Sequence, residues 1–264
     1  MIKKNKFIST LSSPFRETEG FSFHGMRKKK IKFISKLSSL FRQTEGFRWL
    51  SGCLLLFNLA CNNPSTYNQL KITPVDSEEI KLKYERAFAC IEKVKPLIKQ
   101  GDMILRTGND FTSESLRQLS FTDKTYSHCG IASIENDTIF IYHALGGEWN
   151  PDEKLRRDPL EIFCNPEENR GIGIFSFKFN ADQKNKLDSI VKAWYNKGLM
   201  FDMKFDLATN DRMYCAEFVS KAITIATGNQ IIFSTSRINK FEFVAVDNLF
   251  LNKFCEEKKR IRFQ

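Results

Sequence analysis

The chain has 264 residues, of which 42% are hydrophobic and 13% aromatic, enough apolar material for a sizeable core and too much for a mainly disordered chain. Gly (13) and Pro (7) are too few for collagen-like or low-complexity sequence, and the lack of any apolar run of about 18 residues excludes a transmembrane bundle. The net charge of +10 is unevenly placed: residues 1–61 hold twelve of the 41 Lys+Arg but three of the 31 Asp+Glu, so the body is nearly neutral, which argues against nucleic-acid binding.

Residues 6–21 (KFISTLSSPFRETEGF) and 32–47 (KFISKLSSLFRQTEGF) repeat at a 26-residue period. Two copies do not make a solenoid and read as a duplicated leader with a working start at Met26. Met26-Arg27-Lys28-Lys29-Lys30 is a basic n-region, residues 49–60 are apolar, and the stretch ends Leu59-Ala60-Cys61. This is the layout of a secretory signal, too short to span a bilayer comfortably. Leu-Ala-Cys resembles the lipobox of bacterial lipoproteins, which implies that Cys61 becomes a lipidated N-terminus. Residues 62–66 then start a polar tether. The expectation is an exported chain of the bacterial cell envelope, anchored to a membrane rather than spanning it; the alternative is an ordinary cysteine in a cleaved or retained segment. Of the seven cysteines, setting aside Cys53 and Cys61 leaves an odd number, so at least one thiol stays free of intramolecular disulfides. No C-x-x-C pair suggests a zinc ribbon or a thioredoxin-like site.

In the body, Asp76 and Glu79 resemble a capping box ahead of Ile80, Tyr84, Phe88 and Ile91 at helical spacing, and Pro96 stops the helix. A short strand follows at residues 101–106, then a short helix over 112–120 capped by Thr112 or Ser113. Residues 127–134 read as a strand, Asn136-Asp137 as a turn and 138–145 as the hairpin partner. Residues 146–170 are polar and read as a long loop. A strand over 171–179 precedes a helix from about 181 to 197, with Leu187, Ile190, Val191 and Trp194 as its stripe and Gly198 as its stop. After a loop over 199–213, a helix starts near Tyr214 and presents Phe218, Val219, Ala222 and Ile223 inward. Residues 230–244 hold short strand-like runs, and Asp247 caps a last short helix. Clustered strands flanked by helices predict an α+β fold.

Only three histidines occur. His24 lies in the leader, whereas His128 and His143 fall on the two strands of the hairpin, where facing side chains meet. Cys215 sits at a predicted helix N-terminus, which favours thiolate. A thiolate with an imidazole partner is the minimal nucleophilic pair for acyl transfer, and a third polar group would fix the imidazole's tautomer, for which His143 is the candidate. Taken singly, each of these residues also fits a buried structural role.

Gly101-Asp102-x-Ile104-Leu105-Arg106-x-Gly108, Ser115-Leu116-Arg117, Tyr126-Ser127-His128-Cys129-Gly130-Ile131, Phe201-Asp202-x-x-Phe205-Asp206 and Tyr214-Cys215-Ala216-Glu217-Phe218-Val219 occur in this order. The ordered set resembles the circularly permuted papain-like amidases of the YaeF/YiiX kind, within the wider NlpC-type cysteine peptidase superfamily, over roughly residues 96–255. The resemblance implies a permuted papain-like fold with an antiparallel sheet packed against helices. It implies Cys215 as nucleophile, His128 as general base and then acid, and His143 as the third polar residue. Asp202, Phe205, Asp206 and Glu217 are implied near the substrate cleft; for Glu217 the competing role is stabilising the first helical turn. Ala216 stands where the family typically has serine. The backbone N–H of Cys215, unpaired at a helix start, is the expected oxyanion donor. Cys129, beside His128, should point to the opposite face of its strand and belong to the core.

The expected layout is a leader over 1–61, a tether and helix over 62–95 and a hydrolase domain over 96–264. The leading functional expectation is a lipid-anchored cysteine hydrolase of amide or ester bonds. It needs no cofactor and no metal, and acts on small peptide, amide or acyl substrates such as cell-wall peptides or N-acyl compounds. The alternatives are an acyltransferase or thioesterase on the same nucleophile and a non-catalytic peptide- or lipid-binding lipoprotein. A metal site from His128, His143, Cys129 and Cys215 lacks ligand spacing.

Overall fold

The computed structural model describes residues 74–147 and 150–263; the internal repeat, the expected signal and Cys61 lie outside the described residues. Helix α1 (Pro74–Val94) runs into a 3₁₀ turn at Lys95–Leu97. Of the expected stripe, Ile91 is buried but Ile80 and Phe88 are exposed; the buried line is Ala87, Ile91, Val94 and Ile98. Two overlapping apolar lines share Ile91, and only the C-terminal half of the helix has a sheet face to cover.

Strand β1 (Met103–Gly108) leads to helix α2 (Phe111–Arg117), whose cap is Asp110 rather than Thr112 or Ser113: its Oδ1 accepts from Ser113 N–H at 3.0 Å. Strands β2 (His128–Glu135) and β3 (Thr138–His143) form the expected hairpin. Asn136 and Asp137 take φ of 47° and 61°, the left-handed pair that a two-residue type I′ turn demands. The segment expected as loop contains strand β4 (Arg156–Pro159) and the one-turn helix α3 (Leu160–Phe163). Strand β5 (Asn169–Phe177) precedes helix α4 (Ala181–Lys197). Asn180 and Gln183 cap α4 reciprocally, and Gly198 ends it in the left-handed conformation (φ 73°). Helix α5 (Cys215–Ala226), a small hairpin β6–β7 (Ser236–Ile238, Phe241–Phe243), helix α6 (Val246–Phe250) and strand β8 (Cys255–Arg262) complete the order. Asp247 lies inside α6 instead of capping it, and its Oδ2 accepts the Thr122 and Asp123 N–H groups.

The architecture is α+β. Six strands make one antiparallel sheet in the order β4-β3-β2-β1-β5-β8. Alternation along the strands sends side chains to two cores. Met103, Leu105, Cys129, Ile131, Phe175 and Phe177 pack under α4, α5 and α6. Ile104, Ala132, Ile139, Ile141, Ile172 and Ile174 pack against the end of α1 and against Leu160 and Phe163. Helix α5 is the buried centre of the first layer, with Phe218, Val219, Ala222 and Ile223 fully enclosed. That burial fixes where its N-terminus, and Cys215, ends up.

Candidate active site

The site forms where β2 begins, β3 has just ended and α5 starts. Ser127, His128, Ala144, Leu145, Gly146, Tyr214, Cys215 and Ala216 meet there around a small pocket that opens to the surface. Its remaining walls, among them Leu116, Leu119, Phe201, Phe205, Phe243 and Val246, are apolar, and among the described residues no charged side chain lines it. Phe205 takes a positive φ of 56° and stacks obliquely on Tyr214, ring centroids 4.6 Å apart. Tyr214 is pinned in turn by the Val244 N–H, which donates to its hydroxyl at 2.7 Å.

Cys215 is the first residue of α5. Its thiol is held below the ordinary range, first by the Cys129 side chain and then by the backbone N–H groups of Cys129 and Ala216, with Arg106 adding positive potential and burial opposing. The dominant partner was not anticipated. Cys129 does point away from His128 and into the core, as alternation requires, but that is the face on which α5 lies. Burial pushes the Cys129 thiol up. Among the described residues no hydrogen bond joins Cys215 to His128; the two share the wall of one pocket.

His128 and His143 face the other layer, both in ring contact with Phe163. His128 Nε2 lies 2.9 Å from His143 Nδ1, and His143 Nε2 lies 3.0 Å from Asp158 Oδ2. Asp158 is also paired with Arg156 at 2.9 Å and is kept below the usual carboxylate range: burial raises it, but the hydrogen bond from His143 and the Arg156 guanidinium outweigh that. An ionised Asp158 accepts, so His143 Nε2–H donates to it. His143 Nδ1 is then an acceptor, and His128 Nε2–H donates its hydrogen bond to it. The chain leaves Nδ1 of His128 as the basic nitrogen. Both rings are neutral at pH 7. Burial first, then Arg106 and His143, holds His128 well below its ordinary value. Burial lowers His143 to about 4 despite Asp158.

Asp158 and Arg106 were missed as site residues. Asp158 sits opposite Ile141, one diagonal from His143, on an edge strand whose polar residues read as loop; the only signal was a carboxylate within reach of a second hairpin strand. Arg106 is the cross-strand partner of His128; it donates to the Phe163 carbonyl at 3.0 Å and lies 4.9 Å from that ring's centroid.

Of the four residues expected at the cleft, Phe205 lines the pocket and the three acids do not. Asp202 accepts the N–H groups of Lys204 and Asp206 at 2.7 and 2.6 Å and so folds the loop that carries Phe205. Asp206 caps Ala208 N–H at the surface. Glu217 is fully buried. It reaches back to Tyr214 N–H at 3.4 Å and ion-pairs with Lys221 at 2.8 Å. Lys221 directs its hydrogen bonds to the Leu207 and Thr209 carbonyls and to Asn210, so Glu217 Oε1 has the charge but no hydrogen bond. Burial raises this carboxyl to about 7.

No family model and no curated protein matches the sequence. Among solved structures the chain is similar to metalloprotein yiiX from Escherichia coli O157:H7, at 18% identity and a TM-score of 0.52, covering 62% of this chain and 98% of that one. The likeness is one of fold, an antiparallel sheet with helices. Among the described residues no group of three or more His, Cys, Asp or Glu is arranged to hold a metal ion, and no helix is long and apolar enough to cross a membrane.

Proposed function

We propose that this chain is a cysteine-dependent acyl hydrolase of the permuted papain-like kind, cleaving an amide or ester of an uncharged, largely apolar acyl group. The observation that carries the reading is the His128–His143–Asp158 chain, which ends at a pocket where Cys215 opens a buried helix. The base-bearing strand precedes the nucleophile-bearing helix in sequence, the order of the permuted group. In the reaction, Cys215 Sγ gives its proton to His128 Nδ1 and attacks the acyl carbon. The backbone N–H of Cys215, free of an intrahelical partner, faces the developing oxyanion. His128 Nδ1–H then protonates the leaving amine or alkoxide, and the same nitrogen deprotonates the water that hydrolyses the thioester. Asp158, through His143, holds that tautomer throughout.

The pocket walls favour aliphatic or aromatic acyl groups over the carboxylate-bearing stems of cell-wall peptides, because a carboxylate there would lose water and gain no charged partner. Export and anchoring at Cys61 complete the reading on the strength of the leader sequence. The test is a panel of uncharged and charged acyl esters and amides, with Cys215 alkylation followed in parallel. Cys215 should react ahead of the other thiols below pH 7, and Cys215→Ala should abolish turnover; a C215A protein as active as the parent would end the proposal. Transfer to an added amine or alcohol shares the thioester, and product analysis separates it from hydrolysis.

A further inference from the structure

The acyl chemistry does not use Lys221, although it is one of only two charged residues in α5 and directs its ammonium at a single loop. Its Nζ donates to the Leu207 carbonyl at 2.9 Å, the Thr209 carbonyl at 2.6 Å and Asn210 Oδ1 at 3.0 Å, and pairs with Glu217 Oε1 at 2.8 Å. The loop so held carries Phe205, whose φ of 56° lies in the left-handed region. A bulky side chain enters that region only where its surroundings dictate it. The buried Asp202 carboxylate dictates it by spanning the residue: Oδ1 accepts Lys204 N–H at 2.7 Å and Oδ2 accepts Asp206 N–H at 2.6 Å. Lys221 then fixes the chain just beyond. What the strained turn achieves is the placing of a ring. Phe205 packs obliquely on Tyr214, centroids 4.6 Å apart, and edge-on to Phe201, at 6.4 Å and 87°. All three rings line the pocket together with Cys215. Gly146 completes the corner, because a Cβ there would lie 2.5 Å from Phe201 Cγ, so only glycine lets the backbone of the pocket rest on that ring.

We propose, resting on the reading of Cys215 as the nucleophile, that the Phe201–Phe205–Tyr214 corner is the wall that selects the acyl group, that Phe205 is its discriminating residue, and that Lys221 is the positioning residue that keeps Phe205 in place. Rings set at a steep angle present a face and an edge, the surroundings that a further aromatic ring prefers. The group selected is therefore a flat aromatic one close to the reacting carbon, ahead of a methyl or other small aliphatic group. Lys221 touches neither the ligand nor the thiol and acts through the loop. Without it the Leu207 and Thr209 carbonyls lose their donor, the chain beyond Asp206 is released from α5, and Phe205 relaxes to an ordinary φ, which turns its ring off Tyr214.

The probes are benzyl and methyl methanethiosulfonate, which differ by the ring alone. Reduced full-length protein is treated with each and digested without reduction, and the rates at Cys215 and at Cys90, a free thiol of α1 that does not line the pocket, are read by peptide mass. In the parent, the benzyl-to-methyl rate ratio at Cys215 should exceed that at Cys90 by about tenfold. Phe205→Gly removes the ring yet suits the backbone, since glycine takes a positive φ without strain, and the preference should vanish. Lys221→Met should lose most of it, and Lys221→Arg, which still donates to carbonyls, should restore it. Glu217→Gln combined with Lys221→Met should match Lys221→Met, because the loss comes from the freed loop and not from an unpaired carboxylate. A parent ratio no higher at Cys215 than at Cys90, or a ratio kept in Phe205→Gly, would overturn the selecting wall. A ratio kept in Lys221→Met, or lost equally in Lys221→Arg, would overturn the role of Lys221. Labelling needs no turnover, so a benzyl preference without ester hydrolysis would count against the hydrolase alone, and aryl ester hydrolysis that Phe205→Gly leaves unchanged would count against the wall alone.

Discussion

A single carboxylate decides which nitrogen of His128 is basic, although it touches neither His128 nor the pocket. Asp158 accepts from His143 Nε2 and thereby makes His143 Nδ1 an acceptor. Asp158→Asn would offer an amide donor to that nitrogen, reverse both tautomers and leave His128 Nδ1 protonated, unable to take the thiol proton. Loss of the carboxylate that backs a catalytic histidine directly costs about 10⁴ in kcat, and one imidazole further away a loss of about 10²-fold is expected, with KM little changed. Unchanged kcat would show that the chain does not set the tautomer. Arg106 acts by charge. It holds down both His128 and Cys215, so Arg106→Met should let both groups keep their protons to higher pH. The acid limb of Cys215 alkylation should therefore move to higher pH. A limb that stays in place would remove Arg106 from the electrostatics of the site.

At the scale of elements, the site depends on the distance between β2 and β3, and that distance depends on Gly130. A Cβ there would meet Ile141 Cγ2 at 2.5 Å, the Tyr142 carbonyl oxygen at 2.8 Å and His143 Cβ at 3.0 Å. The backbone oxygen cannot rotate aside, so Gly130→Ala must push β3 away and stretch the His128–His143 bond. Overpacking of this kind costs roughly 1–3 kcal/mol. Turnover should fall steeply, while the intrinsic reactivity of Cys215, supplied by α5 and by Cys129, should largely persist; equal loss of both would mean that the damage is global. These elements were readable because each carries a local physical signature. The hairpin has its left-handed turn residues, α4 its reciprocal cap and terminal glycine, α5 its apolar face. Strands β4 and β8 carry none. Arg156-Arg157-Asp158-Pro159 and Cys255-Glu256-Glu257-Lys258 are edge strands, exposed or half-exposed along most of their length, and charged edge strands look like loops until a partner is found. The placement of Cys215 at a helix start and of both histidines on the hairpin was legible for the same reason the elements were. Asp158 was not, because it lies on β4, and that Cys129 would share a core with the start of α5 was not, because no local pattern says which face of the sheet α5 will cover.

The whole molecule registers the site in its response to pH. His128 and His143 are buried neutral, with His143 at about 4 in the fold against about 6.5 in an unfolded chain. Between those values the unfolded state binds protons that the folded state refuses, so their contribution to stability is present above pH 6.5 and is lost as pH falls toward 4. Glu217 works in the opposite sense. Its folded value of about 7 lies above the unfolded one, so its contribution is fully present below about 4.5 and is lost as pH rises through 7. Around pH 5–6, two histidines therefore oppose one carboxyl, leaving a net uptake on unfolding of about one proton, or roughly 1.4 kcal/mol of stability per pH unit. Glu217→Gln removes the opposing group without removing its bulk. Urea denaturation of this variant between pH 5 and 6.5 should give a slope approaching twice that of the parent, and His143→Gln should give one near zero. If E217Q left the slope unchanged, the first turn of α5 would be holding an ionised carboxylate near Cys215, a negative charge that opposes ionisation of that thiol.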